Sequence, residues 1–187
     1  MKKTSCLYLL FIFTLLGCAT WVAVGGQHKM DSQNFTVELP DGWRRFNPAG
    51  DRLLLTKDGF SLQKIIILRL EVSKELPHTK KKLTKGMLPQ EAADVYIDNI
   101  RSNTGIMNQE ILENSPAQIA GQPGFKIVYK YQTNAGLNIK GATYGFISGD
   151  WFYEIIYEAT ERHYFAKDLP AFEKIKETFS LIKAATS

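Results

Sequence analysis

Cysteine is scarce in this sequence, which has two cysteines and three histidines in 187 residues. Two cysteines cannot form a disulfide-rich scaffold or a four-thiolate zinc site. Neither a Gly-x-Gly-x-x-Gly sequence nor a Walker motif is present, which excludes the common phosphate-binding loops. The remaining composition, 44% hydrophobic and 22% charged, is that of an ordinary globular protein. A chain of this length predicts a single folded domain.

The N-terminus has the pattern of a secretory signal. Lys2 and Lys3 are basic, and residues 6–16 carry no charge. The apolar run is shorter than the about 20 residues that cross a bilayer, and a small residue, Gly17, follows it. The pattern therefore predicts a cleaved signal peptide over residues 1–17. An N-terminal membrane anchor and a buried helix are the alternatives.

The end of this segment, Leu15-Leu16-Gly17-Cys18, resembles the lipobox of bacterial lipoproteins. The resemblance implies cleavage before Cys18, a diacylglycerol on its sulfur, and an amino terminus acylated with a chain such as palmitate. Two or more acyl chains anchor a protein stably, whereas one chain binds only marginally. Ala19 at the next position implies sorting to the outer membrane, facing the periplasm, in a cell with two membranes. The alternative is an unpaired thiol in an oxidising compartment.

Cleavage changes the counts for the remaining chain. It removes two lysines and no acidic residue, which lowers the formal net charge from +4 to +2 and leaves 170 residues. A chain this close to neutrality has no general electrostatic affinity for nucleic acid, so we expect no nucleic-acid partner. Residues 18–32, which have no hydrophobic period, are interpreted as the lipidated Cys18 and a flexible tether. Residues 33–183 are predicted to form one globular domain.

The globular part predicts a strand-rich fold with two helices. The run from Ile65 to Leu68 is apolar at successive positions, which predicts a strand covered on both faces. Pro89 and Pro170 are each expected to begin a helix, with a short helical turn over residues 162–167 before Pro170. Gly141 and Gly145 share one strand face and are interpreted as room for a covering helix. Strands are predicted over residues 35–39, 52–56, 60–72, 106–114, 124–133, 137–148 and 151–160, the last three as an antiparallel meander.

Residues 73–88 form a 16-residue stretch without an apolar period, as is typical of a functional or disordered loop. The stretch carries Lys80, Lys81, Lys82 and Lys85, a cluster able to contact an anionic surface. The alternative is a solvated loop whose charges only maintain solubility.

No arrangement of residues predicts nucleophilic or metal chemistry. Gly59-Phe60-Ser61 has only the first half of a Gly-x-Ser-x-Gly motif, and no serine is marked as a partner for a histidine. Asp94 and Asp98 share a helix face, which a solvated surface explains as well as a metal does. We therefore expect no catalytic residue, no metal site and no cofactor.

Glu154 and Glu158 share one face of a strand, about 13 Å apart by the rise per residue. Glycosidases hold their two acids at about 5–9.5 Å, so this spacing does not suit them. Cross-strand ion pairs with Lys126 or Lys130 are the expected use of these acids.

Four segments carry a resemblance: Phe35-Thr-Val-Glu-Leu-Pro-Asp-Gly-Trp43, Ile119-Ala-Gly-Gln-Pro-Gly124, Tyr153-Glu-Ile-Ile-Tyr157, and Phe172…Ile175…Phe179-Ser180. Their order resembles that of PsbP-like proteins, which include the extrinsic photosystem II subunit and many bacterial lipoproteins. The resemblance implies an α+β fold in which an antiparallel β-sheet is sandwiched between α-helices. The family carries no shared catalytic residues, so it implies no active site.

Three functional hypotheses follow. The first is a lipid-anchored cell-envelope protein that acts as a non-catalytic binding or complex-assembly module, with an envelope protein as partner. The second is a binder of a small or lipidic ligand in a cleft between sheet and helix, under the 73–88 loop. The third is a hydrolase that acts on envelope material. A pocket with apolar walls and converging polar groups would favour the second hypothesis. An acid or serine beside a base would favour the third.

Overall fold

The computed structural model describes residues 20–47 and 50–182. In these residues the chain forms strands β1 to β11 and helices α1 (Pro89–Arg101) and α2 (Tyr164–Thr178). The strands are Trp21–Ala23 (β1), Gly26–Met30 (β2), Phe35–Leu39 (β3), Arg44–Phe46 (β4), Arg52–Thr56 (β5), Gln63–Glu71 (β6), Ile106–Ile119 (β7), Gln122–Thr133 (β8), Asn138–Ser148 (β9), Trp151–Thr160 (β10) and Ser180–Leu181 (β11).

The main sheet contains eight of the described strands in the order β1-β4-β5-β6-β10-β9-β8-β7, and β11, β3 and β2 form a second, smaller sheet. All pairs in both sheets are antiparallel. Helix α1 packs on one face of the main sheet, and α2 and the small sheet pack on the other. The predicted α+β fold, an antiparallel sheet between helices, is confirmed.

Helix α1 begins at Pro89, as the sequence predicts. The Leu88 amide donates a hydrogen bond of 2.8 Å to the Glu91 carboxylate, which satisfies one of the free amides of the first turn. One face of the helix is buried among apolar side chains of the sheet. The buried residues of this face are Ala92, Ala93, Tyr96, Ile97, Asn99 and Ile100.

Helix α2 begins at Tyr164, six residues before Pro170, so the expected start at Pro170 is wrong. A proline inside a helix removes one backbone hydrogen bond and usually bends the helix. Here Phe165 before the proline and Phe172 and Ile175 after it are all buried in the same core. We infer that this burial offsets the lost hydrogen bond and keeps the two halves in one helix.

The interpretation of residues 19–32 as a flexible tether is wrong from Trp21 onward. Strand β1 pairs with β4, and β2 pairs with β3. The Trp21 ring packs on Phe46 with 5.0 Å between the ring centroids. These strands are short and mostly exposed, so no apolar period reveals them in the sequence. As a result, the main sheet begins three residues after Cys18.

Gly141 and Gly145 do not make room for a helix directly. The rings of their cross-strand partners on β8, Tyr129 and Phe125, lie over them, and a Cβ at either glycine would overlap the ring. Tyr96 of α1 then packs on Phe125 with 5.8 Å between the centroids. Aromatic rings therefore fill the space between this part of the sheet and the helix.

Candidate functional site

The face of the main sheet that carries α1 is only half covered. Helix α1 packs against β7, β8 and β9. On β6, Ile65 and Ile67 point to the opposite face and are fully buried, whereas Ile66 and Leu68 point to the α1 face and stay partly exposed. The prediction that both faces of this strand are covered is therefore met only on the α2 side. The uncovered apolar surface is the floor of a cleft.

The cleft lies between this floor, the side of α1 and the loop before it, and has a volume of about 280 Å³. Tyr96, Asn99 and Ile100 of α1 form one wall, and Pro77 and His78 of the loop form another. The loop is fixed to the helix because the His78 amide donates a 2.8 Å hydrogen bond to the Asn99 side-chain oxygen. Two walls of the cleft are therefore joined to each other.

Glu154 of β10 is the most unusual side chain of the cleft. It is 5% exposed, and its cross-strand neighbours are Leu68 and Gly145, so no basic residue lies directly opposite it. The Tyr96 hydroxyl donates a hydrogen bond of 3.3 Å to its carboxylate. Burial raises the pKa of Glu154 to about 7, although the Tyr96 hydrogen bond and the charge of Arg52 act in the opposite direction. Glu154 therefore holds or releases a proton near neutral pH.

Glu158 lies on the same face but has close partners. Lys64, directly opposite on β6, approaches its carboxylate at 2.8 Å, and the Tyr129 hydroxyl donates a hydrogen bond of 2.9 Å to it. The expected pairing of these acids with Lys126 or Lys130 is wrong, because both lysines point to the other face of β8. Lys130 pairs with Glu110, and Lys126 lies between Glu113 and Glu173. The two cleft acids thus differ sharply in their surroundings.

A larger depression of about 360 Å³ lies at the N-terminal end of α1, around Leu88 and Pro116. Its walls carry no titratable side chain. Its polar lining consists of Gln90, Asn114 and Ser115. Of the two sites, the smaller cleft also contains a buried ionisable group, Glu154, so the chemistry favours the smaller cleft.

The four lysines of the 73–88 loop do not act as one free cluster. Lys81 pairs with Asp98 of α1, and Lys85 pairs with Asp150. Lys80 and Lys82 are exposed, and neither pairs with a carboxylate within the parts of the chain that the structure describes. The loop is anchored to the core through two side chains that the sequence analysis missed, the buried Leu76 and Leu83. Their spacing of seven residues, with charges between them, shows no apolar period.

The other candidate residues are dispersed. Asp98 is in the ion pair with Lys81, and no group of three metal-ligating side chains occurs among the described residues. His28 lies on β2, where burial and, to a smaller extent, Arg45 lower its pKa. His163 precedes α2 and packs edge-on against Tyr164. The three histidines therefore lie in separate elements.

Cys18, the predicted lipidation site, and the predicted signal peptide lie outside the described residues. In the described ranges, 20–47 and 50–182, no helix has the length and hydropathy needed to cross a membrane.

Comparison with known proteins gives a likeness of fold. No protein-family model matches the chain, and no curated protein matches it. The Ran-binding protein Mog1p of Saccharomyces cerevisiae is 11% identical with a TM-score of 0.59, covering 86% of this chain and 97% of Mog1p. Cyanobacterial PsbP (CyanoP) of Synechocystis is 11% identical with a TM-score of 0.56, covering 95% of this chain and 98% of CyanoP.

LpqN of Mycobacterium tuberculosis, described as involved in cell envelope biogenesis, has a related fold. It is 14% identical with a TM-score of 0.55, covering 79% of this chain and 82% of LpqN. At these identities the likeness establishes the architecture alone. It agrees with the fold that the PsbP-like segments of the sequence imply.

Proposed function

We propose that this chain is a lipid-anchored cell-envelope protein that acts as a non-catalytic binding module, with the cleft at Glu154 as its binding site. The observation that carries the proposal is the cleft itself. An apolar floor is left open beside a helix, and one buried carboxyl group lies within it. This combination matches the pattern of ligand sites more closely than that of a flat assembly surface.

Two lines of support lie outside the cleft. The lipobox-like Leu15-Leu16-Gly17-Cys18 supports a membrane anchor at Cys18. Among the proteins with a related fold, Mog1p is Ran-binding and LpqN is involved in cell envelope biogenesis. We therefore propose that the occupant of the cleft is presented by an envelope protein or is a small molecule of the envelope. In a cell with two membranes, the proposed location is the outer membrane, facing the periplasm.

In-cell crosslinking tests the proposal. A photoreactive residue replaces Leu70, whose side chain lines the cleft. The matched control places the same group at Leu137, an exposed leucine on the turn between β8 and β9. We expect mass spectrometry to identify an adduct from position 70 that position 137 does not give. The same adducts from both positions, or none from position 70, would contradict a binding role for the cleft.

We also propose that Lys80 and Lys82 contact an anionic membrane surface, while Lys81 and Lys85 are already paired with acids. Each basic residue near a charged membrane contributes about 1 kcal/mol. The double variant Lys80→Gln/Lys82→Gln should therefore lower the preference for anionic over neutral vesicles by about thirtyfold. The matched variant Lys81→Gln/Lys85→Gln should change it much less. Equal effects in a vesicle-competition assay would show that the loop acts only through its total charge.

A further inference from the structure

We propose that the cleft binds a primary ammonium group on an aliphatic stem, with the ammonium against Glu154 and the stem along the apolar floor. This inference rests on the proposed use of the cleft as a binding site and adds the chemical class of its occupant.

Glu154 has unused capacity to accept hydrogen bonds. An ionised carboxylate offers about four acceptor positions, and the described residues supply one hydrogen bond, from the Tyr96 hydroxyl at 3.3 Å. The side chain is 95% buried, yet it lines the cleft. A donor with several protons, entering from the cleft, would satisfy the carboxylate.

The charges around the cleft favour a cation at this position. Glu158 is balanced by Lys64 and bonded by Tyr129. Arg52 is exposed at the rim. It lies opposite Leu68 of β6, which in turn lies opposite Glu154, so one strand separates Arg52 from Glu154. His78 lies on the loop wall. Among the described residues, Glu154 is therefore the cleft acid with no cation within ion-pairing distance, and a buried carboxylate needs one.

The floor suits a short aliphatic stem. Ile66, Leu68, Leu70 and Ile156 line the cleft beside Glu154. The volume of about 280 Å³ is just below the range of about 300–1,000 Å³ that is typical of sites for drug-sized ligands. A stem of four to six methylenes fits within this space and occurs both in simple aliphatic amines and, at four methylenes, in the side chain of lysine.

Calorimetric titration of the full chain, solubilised from membranes in detergent, tests the inference with two kinds of probe. The first is the series of butyl-, pentyl- and hexylammonium, with 1-hexanol as the uncharged control. The second is the peptide acetyl-Gly-Lys-Gly-amide, with its Nε-acetylated form as control. Titration of each probe into detergent alone is subtracted.

We expect the affinity for the ammonium series to rise about fourfold per methylene. It should also rise about tenfold between pH 6 and pH 8, because Glu154 ionises near pH 7. Glu154→Gln should weaken binding at least tenfold. The matched variant Glu110→Gln removes an exposed carboxylate that pairs with Lys130 outside the cleft, and it should leave binding unchanged.

The two probes distinguish the sources of the ammonium group. Binding of the alkylammonium series with the expected dependence on Glu154 supports a free amine as the occupant. Binding of the lysine peptide alone, with the same dependence, supports the inference with a partner protein as the source. The inference is overturned if hexanol binds as well as hexylammonium, if Glu154→Gln has no effect, or if neither ammonium probe binds. In each of these cases an adduct at position 70 in cells would still support the cleft as a binding site.

Discussion

In cells supplied with labelled palmitate, we expect the wild-type chain to carry the label and a Cys18→Ala variant to carry none. The physical basis is the number of acyl chains. A diacylglycerol on the Cys18 sulfur together with an acylated amino terminus gives enough chains to hold the protein on a membrane stably. Each buried methylene contributes about 0.8 kcal/mol, so the loss of all chains is a very large change in membrane affinity.

The sequence contains a matched control for this experiment. Cys6 is the other cysteine of the chain and lies within the predicted signal peptide. A Cys6→Ala variant should keep the label. The mass of its mature protein should correspond to a chain that begins at a modified Cys18. The Cys18→Ala variant should instead keep residues 1–17, since the lipobox resemblance implies that cleavage takes place before Cys18. Label that persists without Cys18, or disappears without Cys6, would rule out the proposed anchor.

The second large effect is a loss of stability with rising pH that depends on Glu154. Burial raises the pKa of this carboxyl group from 4.5 to about 7 in the folded chain. The folded state therefore favours the protonated form of Glu154. The stability that this protonated group contributes is fully present below the pKa of the unfolded chain. As the pH rises from about 4.5 through about 7, the unfolded state loses its proton first and stability falls. The shift corresponds to about 3 kcal/mol.

Glu154→Gln isolates this contribution, because the amide has a similar shape and does not ionise. We expect the variant to be close to wild type at pH 4.5 and to be more stable by about 3 kcal/mol at pH 8. Urea unfolding followed by tryptophan fluorescence measures the difference, since Trp43 is buried in the core. Glu158→Gln, the control, should be less stable than wild type at pH 8 because it removes the ion pair with Lys64. A difference between Glu154→Gln and wild type that stays constant with pH would contradict a buried, proton-holding carboxyl group.

Local patterns in the sequence predict much of the fold. Pro89 followed by Ala92, Tyr96 and Ile100 predicts α1, and the turn residues of the meander predict β8 to β10 within two residues. Pro170 is misleading because a proline suits the first turn of a helix and is also tolerated inside one whose two halves are both buried. The sequence does not reveal strands β1 and β2, because they are defined by their pairing with β4 and β3 and show no apolar period.

The cleft could not be located from local patterns because it depends on strand order. Strand β10 lies next to β6, although four elements separate them in the chain. This arrangement places Leu68 and Gly145 on either side of Glu154 and leaves the acid without a basic partner. One signal was present in the sequence. The run Ile65–Leu68 is apolar on both faces, whereas a strand with one exposed face needs apolar residues only on the other. The additional apolar residues, Ile66 and Leu68, form the cleft floor.

The early start of β1 limits how far the proposed module reaches. A lipid on Cys18 is separated from Trp21 by three peptide units, which span at most about 11 Å when fully extended. If Cys18 carries the proposed lipid, this short connection would hold the folded domain at the headgroup layer of its own leaflet. The proposed ligand of the cleft would then come from that layer or from a protein in the same membrane, because a domain held so close to the bilayer would not reach across the compartment.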